Sequence, residues 1–539
     1  MLSLSAGFRA AAAAYPNRPA IVHNGHTIDY AELADRVRAV AALLGPEPTP
    51  ESESRSGPGP AGSESGLRPA GSESGPGSGG SESGPRPAGS ESGHVSGGSE
   101  VGPGPVGVRA THAPATVVGM FAVWAAGGTY CPVDPAFPEP RQAAMLAAAG
   151  CRLLLDPAAP ARITPVPGAR APADPGEPAA YTLFTSGSTG APKPVLTPQL
   201  AIAAATRSVG ELFGITPADR VLQFAALNWD TCFEEILPTL TAGACLVFDD
   251  DAHSGSFPRF LRAVDRARVS VLDLPTAFWH ELVHHLRDSG AALPPSVRLV
   301  VIGGEPANPA RLADWHALPT GPARLLNTYG CTETTLITHA AELPGPVAAG
   351  EPVPIGRPLP HVVERLTDVA GRHLGRTGEA AHEGELLIGG PALATGYRGL
   401  ADATAARFIA VDGQRFFRTG DRVRRLSDGT LVPAGRLDHE VKIRGIRVDP
   451  AEVEAHLAGH PAVSAVAVAG VGLADHTVLA AYVVPRAPDD SGTLAADLVG
   501  YLRARVPAHL VPSRVRIVAD LAYTASGKVD RHRSKEMHR

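Results

Sequence analysis

Between Tyr181 and Glu305, short apolar runs alternate with amphipathic stretches. That alternation constrains the fold more than any other feature of the chain. TLFTS, VLQFAAL, CLVFDD, VSVLDLP and RLVVIGGE read as strands, and the stretches near 199–213, 232–242 and 258–268 read as helices between them. The pattern implies α/β units. Upstream, Leu33, Val37, Val40 and Leu44 share one face of a helix over 28–44. Residues 115–128 predict a buried helix ending at glycines, and TYCPVDP predicts a short strand closed by proline. The Pro/Ala-rich stretch 156–178 reads as a loop, and 383–436 is rich in strand and turn signals. Residues 449–539 return to mixed α and β and predict a small α+β domain.

One segment cannot join this architecture. GSESG begins at Gly62, Gly71, Gly80 and Gly89, and a decayed copy, GSEVG, begins at Gly98, a period of nine. The repeat is too short and too polar for a solenoid, so 46–107 reads as a disordered loop inserted in a folded domain. A phosphorylatable or partner-binding tether is the alternative.

A net charge of −6 gives no reason to expect nucleic acid or a membrane surface as partner. No apolar run reaches the roughly 18–20 residues of a membrane span, and no basic start precedes the N-terminal apolar residues. Five cysteines without CxxC or His/Cys metal spacing fit a reduced compartment, so the expected location is cytoplasmic.

Of 48 basic residues, only Lys193, Lys442, Lys528 and Lys535 are lysine. Under such pressure toward arginine, a retained lysine marks a place where a slim point charge is wanted. Chance survival is the simpler account of Lys535.

Lys193 ends the strongest motif, Tyr181-Thr-Leu-Phe-Thr-Ser-Gly-Ser-Thr-Gly-Ala-Pro-Lys193. Glycines and small hydroxyls after a strand expose backbone N–H groups that can wrap phosphate oxygens. It is not a Walker loop, because Ala191-Pro192 separates Gly190 from Lys193. Then follow Asn327-Thr-Tyr-Gly-Cys-Thr-Glu-Thr-Thr335, Arg418-Thr-Gly-Asp421, Gly435-Arg-Leu-Asp-His-Glu-Val-Lys-Ile-Arg-Gly445 and Ser526-Gly-Lys-Val-Asp-Arg531. In this order the motifs resemble the ATP-dependent adenylate-forming superfamily of acyl- and aryl-CoA synthetases, luciferases and nonribosomal peptide synthetase adenylation domains. The likeness is greatest to a freestanding amino-acid adenylation domain, and it covers almost the whole chain outside 46–107.

The resemblance implies an α/β fold, with a large N-terminal domain (1–437) of layered α/β subdomains plus a small β-rich subdomain. A mobile C-terminal α+β lid (438–539) hinges at Asp438. It implies ATP and Mg²⁺. Thr185, Ser186, Gly187, Ser188, Thr189 and Gly190 would close over the phosphates, with Lys193 adding charge. Glu333 would hold Mg²⁺, with Thr332 beside it, and Tyr329 would lie beside adenine. Asp421 would bind the ribose hydroxyls with Arg436 near the same sugar. Lys528 would bridge the substrate carboxylate and the α-phosphate, and Gly445 would line a thiol channel. Cys331, Pro194 and Gln199 stand where the family usually has Pro, Gly and His, and are read as packing variation.

Asp230 matches the carboxylate that binds a substrate's α-amino group, which favours an amino acid. The other pocket positions map to Thr231, Glu234, Asp273, Val301, Gly303, Thr328, Leu336 and Ile337. Two are acidic. Glu234 follows Asp230 by four on one helix side. Asp273 ends an apolar run, where a carboxylate needs a partner unless it is a cap or turn residue before Leu274-Pro275. A cationic side chain is their natural partner, with Gly303 leaving room for a long one.

The expected activity is therefore adenylation of a basic diamino acid (lysine, β-lysine or ornithine), followed by transfer to a carrier-protein phosphopantetheine in peptide or antibiotic biosynthesis. No LGG-x-S carrier signature occurs, so the peptidyl carrier is expected in trans. Need for a small helper protein stays open. An acyl-CoA synthetase, an amide ligase and a non-catalytic scaffold are the competing readings.

Overall fold

The computed structural model describes residues 4–45, 102–158, 160–168, 179–187, 190–368, 371–374, 383–443, 445–473, 476–487, 492–524 and 529–538. The chain is mixed α/β, with a large N-terminal domain and a smaller C-terminal one. Among the described residues, a nine-stranded sheet has at its centre the parallel strands Val271–Pro275, Leu299–Gly303 and Arg324–Gly330. These are the continuous apolar runs of the sequence, as expected of strands buried on both faces. Their carboxyl ends lie abreast, with Pro275, Gly303 and Thr328 on one rung. Crevices at the carboxyl ends of parallel strands are where α/β folds place ligands.

A seven-stranded sheet contains Ala179–Thr185, paired antiparallel with Lys193–Pro198. Between the two sheets the rings of Tyr181 and Phe233 stack at 4.6 Å, fixing the helix Thr231–Thr241 against the strand that leads into the Thr/Ser/Gly loop. A six-stranded antiparallel sheet, five strands over 363–425 plus Leu431–Arg436, is the β-rich part. The helices Pro450–Ala458 and Leu494–Arg503 and the three strands Val463–Leu473, His476–Pro485 and Arg514–Ile517 enclose a separate core around Val453, Leu457 and Leu498.

Two sequence expectations need correction. The insert does not extend to 107, because Pro105–Arg109 is a strand, parallel to both Thr129–Val133 and Leu153–Asp156, with Val106 and Val108 fully buried. Its glycines and prolines made it look like the end of the repeat, yet Gly107 is packed so tightly that a Cβ would meet Leu146 Cδ2 at 2.3 Å. Residues 46–101 lie outside the described residues. The loop expected over 156–178 also contains a strand, Arg162–Pro165, at a sheet edge where proline is tolerated. Conversely, the helix at 28–44 forms as Tyr30–Leu44, capped by Asp29, and buries the four residues that share its face.

Deleting 46–107 should destabilise the protein relative to deleting 46–101. The longer deletion removes Val106 and its ladder, on the order of 2–4 kcal/mol of burial and packing. Thermal melting of the two deletion variants checks this, and equal midpoints would show that the strand contributes nothing.

Candidate active site

A cavity of about 300 Å³ opens at the carboxyl ends of the central strands. It gathers eight of the nine residues expected at the substrate: Asp230, Thr231, Glu234, Asp273, Gly303, Thr328, Leu336 and Ile337. The ninth, Val301, is not among the lining residues: it shares a rung with Asp273 and Leu326 and is fully buried in the core. Gly303 serves packing as well as space, since a Cβ there would meet Thr328 Oγ1 at 2.5 Å. Leu336 and Thr335 carry left-handed backbones (φ 65° and 58°), which swing the chain back until Leu336 O lies where a Cβ on Gly330 would be. Such strain in non-glycine residues concentrates at ligand sites.

The helix Thr231–Thr241 brings the acids in. Asp230 stands at its N-terminal cap position and accepts a hydrogen bond from the Thr332 hydroxyl. Glu234 and Asp273 are buried within hydrogen-bonding reach of each other, and Asp273 Oδ2 has no other partner. Burial, then the neighbouring carboxylates Asp273 and Asp230, pushes Glu234 well above the usual carboxyl range. Burial raises Asp273 to about 7. Two carboxyls so placed share a proton. Asp273 therefore sits mid-sheet facing the cavity and is neither a cap nor a turn residue. Glu235, missed in the sequence, has a different task. Its carboxylate accepts from Gln223 Nε2 at 2.9 Å and from the N–H groups of Phe224 and Ala225, both at 3.0 Å. That pins the cavity wall to the helix and ends the strand Arg220–Leu222 earlier than the run VLQFAAL suggested.

At the other end of the cavity, Tyr329 Oη donates to Asp421 Oδ2 at 2.5 Å and Arg436 Nη1 donates to Asp421 Oδ1 at 2.6 Å. Arg436 also grips Asp438 (2.7 Å) and Glu440 (2.6 Å), and Arg407 reaches Asp438 at 3.1 Å. Lys442 Nζ lies 5.4 Å from the centre of the Tyr329 ring, and Lys193 Nζ 5.6 Å from that of Tyr397. Thr185 lines the cavity; Ser186 and Gly187 follow it, and Gly190 takes φ 83°. Ser188, Thr189 and Lys528 lie outside the described residues. Lys535 donates to Gly470 O at 2.8 Å, a tie within the small domain.

The profile of the AMP-binding enzyme family matches residues 98–398, and that of the AMP-binding enzyme C-terminal domain matches 452–528. The chain belongs to the AMP-binding enzymes, the adenylate-forming superfamily. It is 42% identical over 440 residues to the isonitrile lipopeptide synthase of Streptomyces coeruleorubidus, an alignment covering 77% of this chain and 29% of that protein. The chain thus corresponds to under a third of that relative's length. The fold matches an artificially fused adenylation–PCP di-domain, NpsA-ThdA, from Klebsiella oxytoca (TM-score 0.72, 24% identity, 95% of this chain and 93% of that one). It also matches the amide bond synthetase McbA from Marinactinospora thermotolerans (TM-score 0.75, 23% identity, 99% of each).

In this AMP-binding enzyme, Glu333 is fully buried. Its Oε1 accepts from Tyr397 Oη at 2.7 Å and from Arg447 Nη2, and its Oε2 has no partner. Burial pushes its carboxyl up, but Arg447 and the two hydrogen bonds outweigh that and hold it below the usual range. An ionised carboxylate with a spare oxygen fits Mg²⁺, which uses one or two carboxylates plus substrate phosphates. Among the described residues no cluster of three or more His, Cys, Asp or Glu could hold a metal by itself. Cys331 is no nucleophile, since burial pushes its thiol up to about 12. Among the described residues no helix is long and apolar enough to cross a membrane.

Sequence reasoning also missed Tyr397 and Arg447. Both stood in the sequence as residues of ordinary turns and strands, and only their convergence on Glu333 distinguishes them.

The raised Asp273 has a consequence for stability. An unfolded aspartate releases its proton near pH 4, whereas folded Asp273 does so near 7. The folded state binds more protons between these values, so stability falls as pH rises through that window. Asp273→Asn should remove this slope. The difference in melting temperature between variant and wild type, scanned from about pH 4 to pH 8, should grow and then level off above about 7. A pH-independent difference would mean that the pair does not hold the proton.

Proposed function

We propose that this enzyme activates a basic diamino acid (lysine, β-lysine or ornithine) with ATP, giving aminoacyl-AMP and pyrophosphate, and passes the aminoacyl group to the phosphopantetheine thiol of a carrier protein. The observation that carries the reading is the pair Glu234–Asp273, buried at the cavity wall with Asp230 on the same helix. Asp230 takes the α-ammonium, which the carboxylic acid substrate of an acyl-CoA synthetase lacks. Glu234 and Asp273 take the distal ammonium, a compact cation that donates in three directions, whereas a guanidinium asks for a flat fork.

The first half-reaction joins two anions that repel. Lys528 lies between the substrate carboxylate and the α-phosphate and offsets both charges. The Thr185–Gly190 loop, with Lys193, wraps the phosphates; Asp421 and Arg436 hold the ribose, and Tyr329 lies beside the adenine. Glu333 would hold Mg²⁺, which would supply charge neutralisation on the phosphates. A hinge at Asp438 divides 1–437 from 438–539, so that Lys528 acts in the first step and withdraws for the second, when Gly445 lines the thiol path. A carrier-protein acceptor is supported by relatives that are peptide synthetases and by likeness to an adenylation–PCP di-domain.

Amino-acid-dependent pyrophosphate exchange across lysine, ornithine, arginine, leucine and glutamine tests the substrate class, and absence of any exchange would favour the scaffold reading. Glu234→Gln and Asp273→Asn should each cost about 2–5 kcal/mol in binding the basic substrate. A wild-type preference for a neutral side chain, or basic-substrate binding that survives both changes, would overturn the cation pocket while leaving adenylation standing.

Lys528→Ala should abolish pyrophosphate exchange yet largely spare transfer of preformed aminoacyl-AMP to the carrier. Equal loss of both half-reactions, measured separately, would refute the role given to Lys528.

A further inference from the structure

Strand pairing beside the cavity ends at Gln223, whose N–H donates to Val247 O at 2.8 Å. The next two backbone donors, the part-buried N–H groups of Phe224 and Ala225, need another acceptor. Glu235, fully buried and 10 residues beyond Ala225, supplies it. Its Oε1 accepts from both N–H groups at 3.0 Å, and its Oε2 accepts from Gln223 Nε2 at 2.9 Å. The side chain thus ties the helix Thr231–Thr241 back to the strand exit and closes the stretch between them into a loop. Ala225, Ala226, Trp229, Asp230, Thr231 and Glu234 face the cavity from this closed stretch. Within it, Tyr130 Oη donates to Leu227 O at 3.2 Å, and beside it the His253 ring stacks on Phe224 at 4.9 Å.

We infer that Glu235 is a positioning residue for the amino-acid substrate: it fixes where this wall stands, and so the affinity for the amino acid, without itself lining the cavity. An α-helix turns about 100° per residue. A Glu235 held toward the Phe224 and Ala225 N–H groups therefore leaves its neighbour Glu234 toward the cavity, and a helix free to roll would carry Glu234 and Asp230 out of place together. The stretch from Gln223 to Asp230 belongs to no helix or strand, so its shape depends on how its ends are held. Fixing those ends before the substrate arrives removes disorder that binding would otherwise have to remove. Asp421 and Arg436, the groups given to the ribose, lie at the other end of the cavity, so the effect falls on the amino acid and not on ATP. The inference rests on the adenylation reading and adds to it a residue that governs substrate binding from behind the wall.

The test is pyrophosphate exchange by the full chain with lysine, ornithine, arginine, leucine and glutamine, comparing wild type with Glu235→Met, Glu235→Gln, Gln223→Leu and Asp219→Asn. Glu235→Met keeps the volume and removes every acceptor, whereas Glu235→Gln keeps one oxygen for the two N–H groups. With the amino acid that wild type prefers, KM should rise about tenfold or more in Glu235→Met and about threefold in Glu235→Gln and Gln223→Leu, each of which loses only part of the clamp. KM for ATP and kcat should stay within about threefold of wild type. Asp219→Asn reports general loosening. Asp219 holds the opposite end of the same strand, accepting from Arg298 Nε at 2.7 Å and Ser270 Oγ at 2.8 Å. Its substitution should lower the melting temperature and leave the amino-acid KM within about twofold. An unchanged amino-acid KM in Glu235→Met overturns the inference, as does an unchanged KM in both Glu235→Gln and Gln223→Leu should Glu235→Met not fold. A parallel rise in both KM values, or an equal rise in Asp219→Asn, overturns it as well. A wild type that exchanges with none of the five amino acids overturns the adenylation reading and this inference with it; an active wild type with unchanged variants overturns this inference alone.

Discussion

A chain of charges runs through the centre of the molecule, and the arrangement of the two domains depends on it. Glu333 pairs with Arg447, Arg447 with Glu440, Glu440 with Arg436, and Arg436 with Asp421 and Asp438. Each group is largely buried and each has an opposite charge in contact, which is the condition under which buried ions are tolerable. Breaking one link strands a charge at the next.

The two ends of the cavity handle charge in opposite ways. At the Asp421 end, arginines hold the Glu333 and Asp438 carboxyls below the usual range against the opposing effect of burial. At the other end, burial and the neighbouring carboxylates raise Glu234, and burial raises Asp273 to about 7, so the pair keeps a proton at neutral pH. One end has its countercharges built in.

The parallel strands and their flanking helices were legible in the sequence because each apolar run had the length and isolation of a buried strand. So was Asp273, whose oddity was a carboxylate inside VSVLDL. What escaped had no local signature. Pro105–Arg109 hid in glycine and proline because its neighbours, not its composition, make it a strand. Glu235 is indistinguishable from Glu234 on paper, one step around the helix, yet one faces the cavity and the other faces a loop's N–H groups. Arg141 and Glu452 meet across 311 residues of chain. Val301 was expected at the cavity from the family resemblance; it shares a strand with Gly303, but depth along that strand is set by packing.

Val301 has a wider consequence. On a parallel sheet, residues that share a face recur every second position, about 6–7 Å apart. Gly303 lies at the cavity and Val301 one such step beneath it, sealed by the core. The floor of the pocket can therefore be lowered only in whole steps of the pleat. A single methylene is far less than one step, so any finer adjustment of the pocket's depth falls to side chains such as Glu234 and Asp273 and not to the sheet.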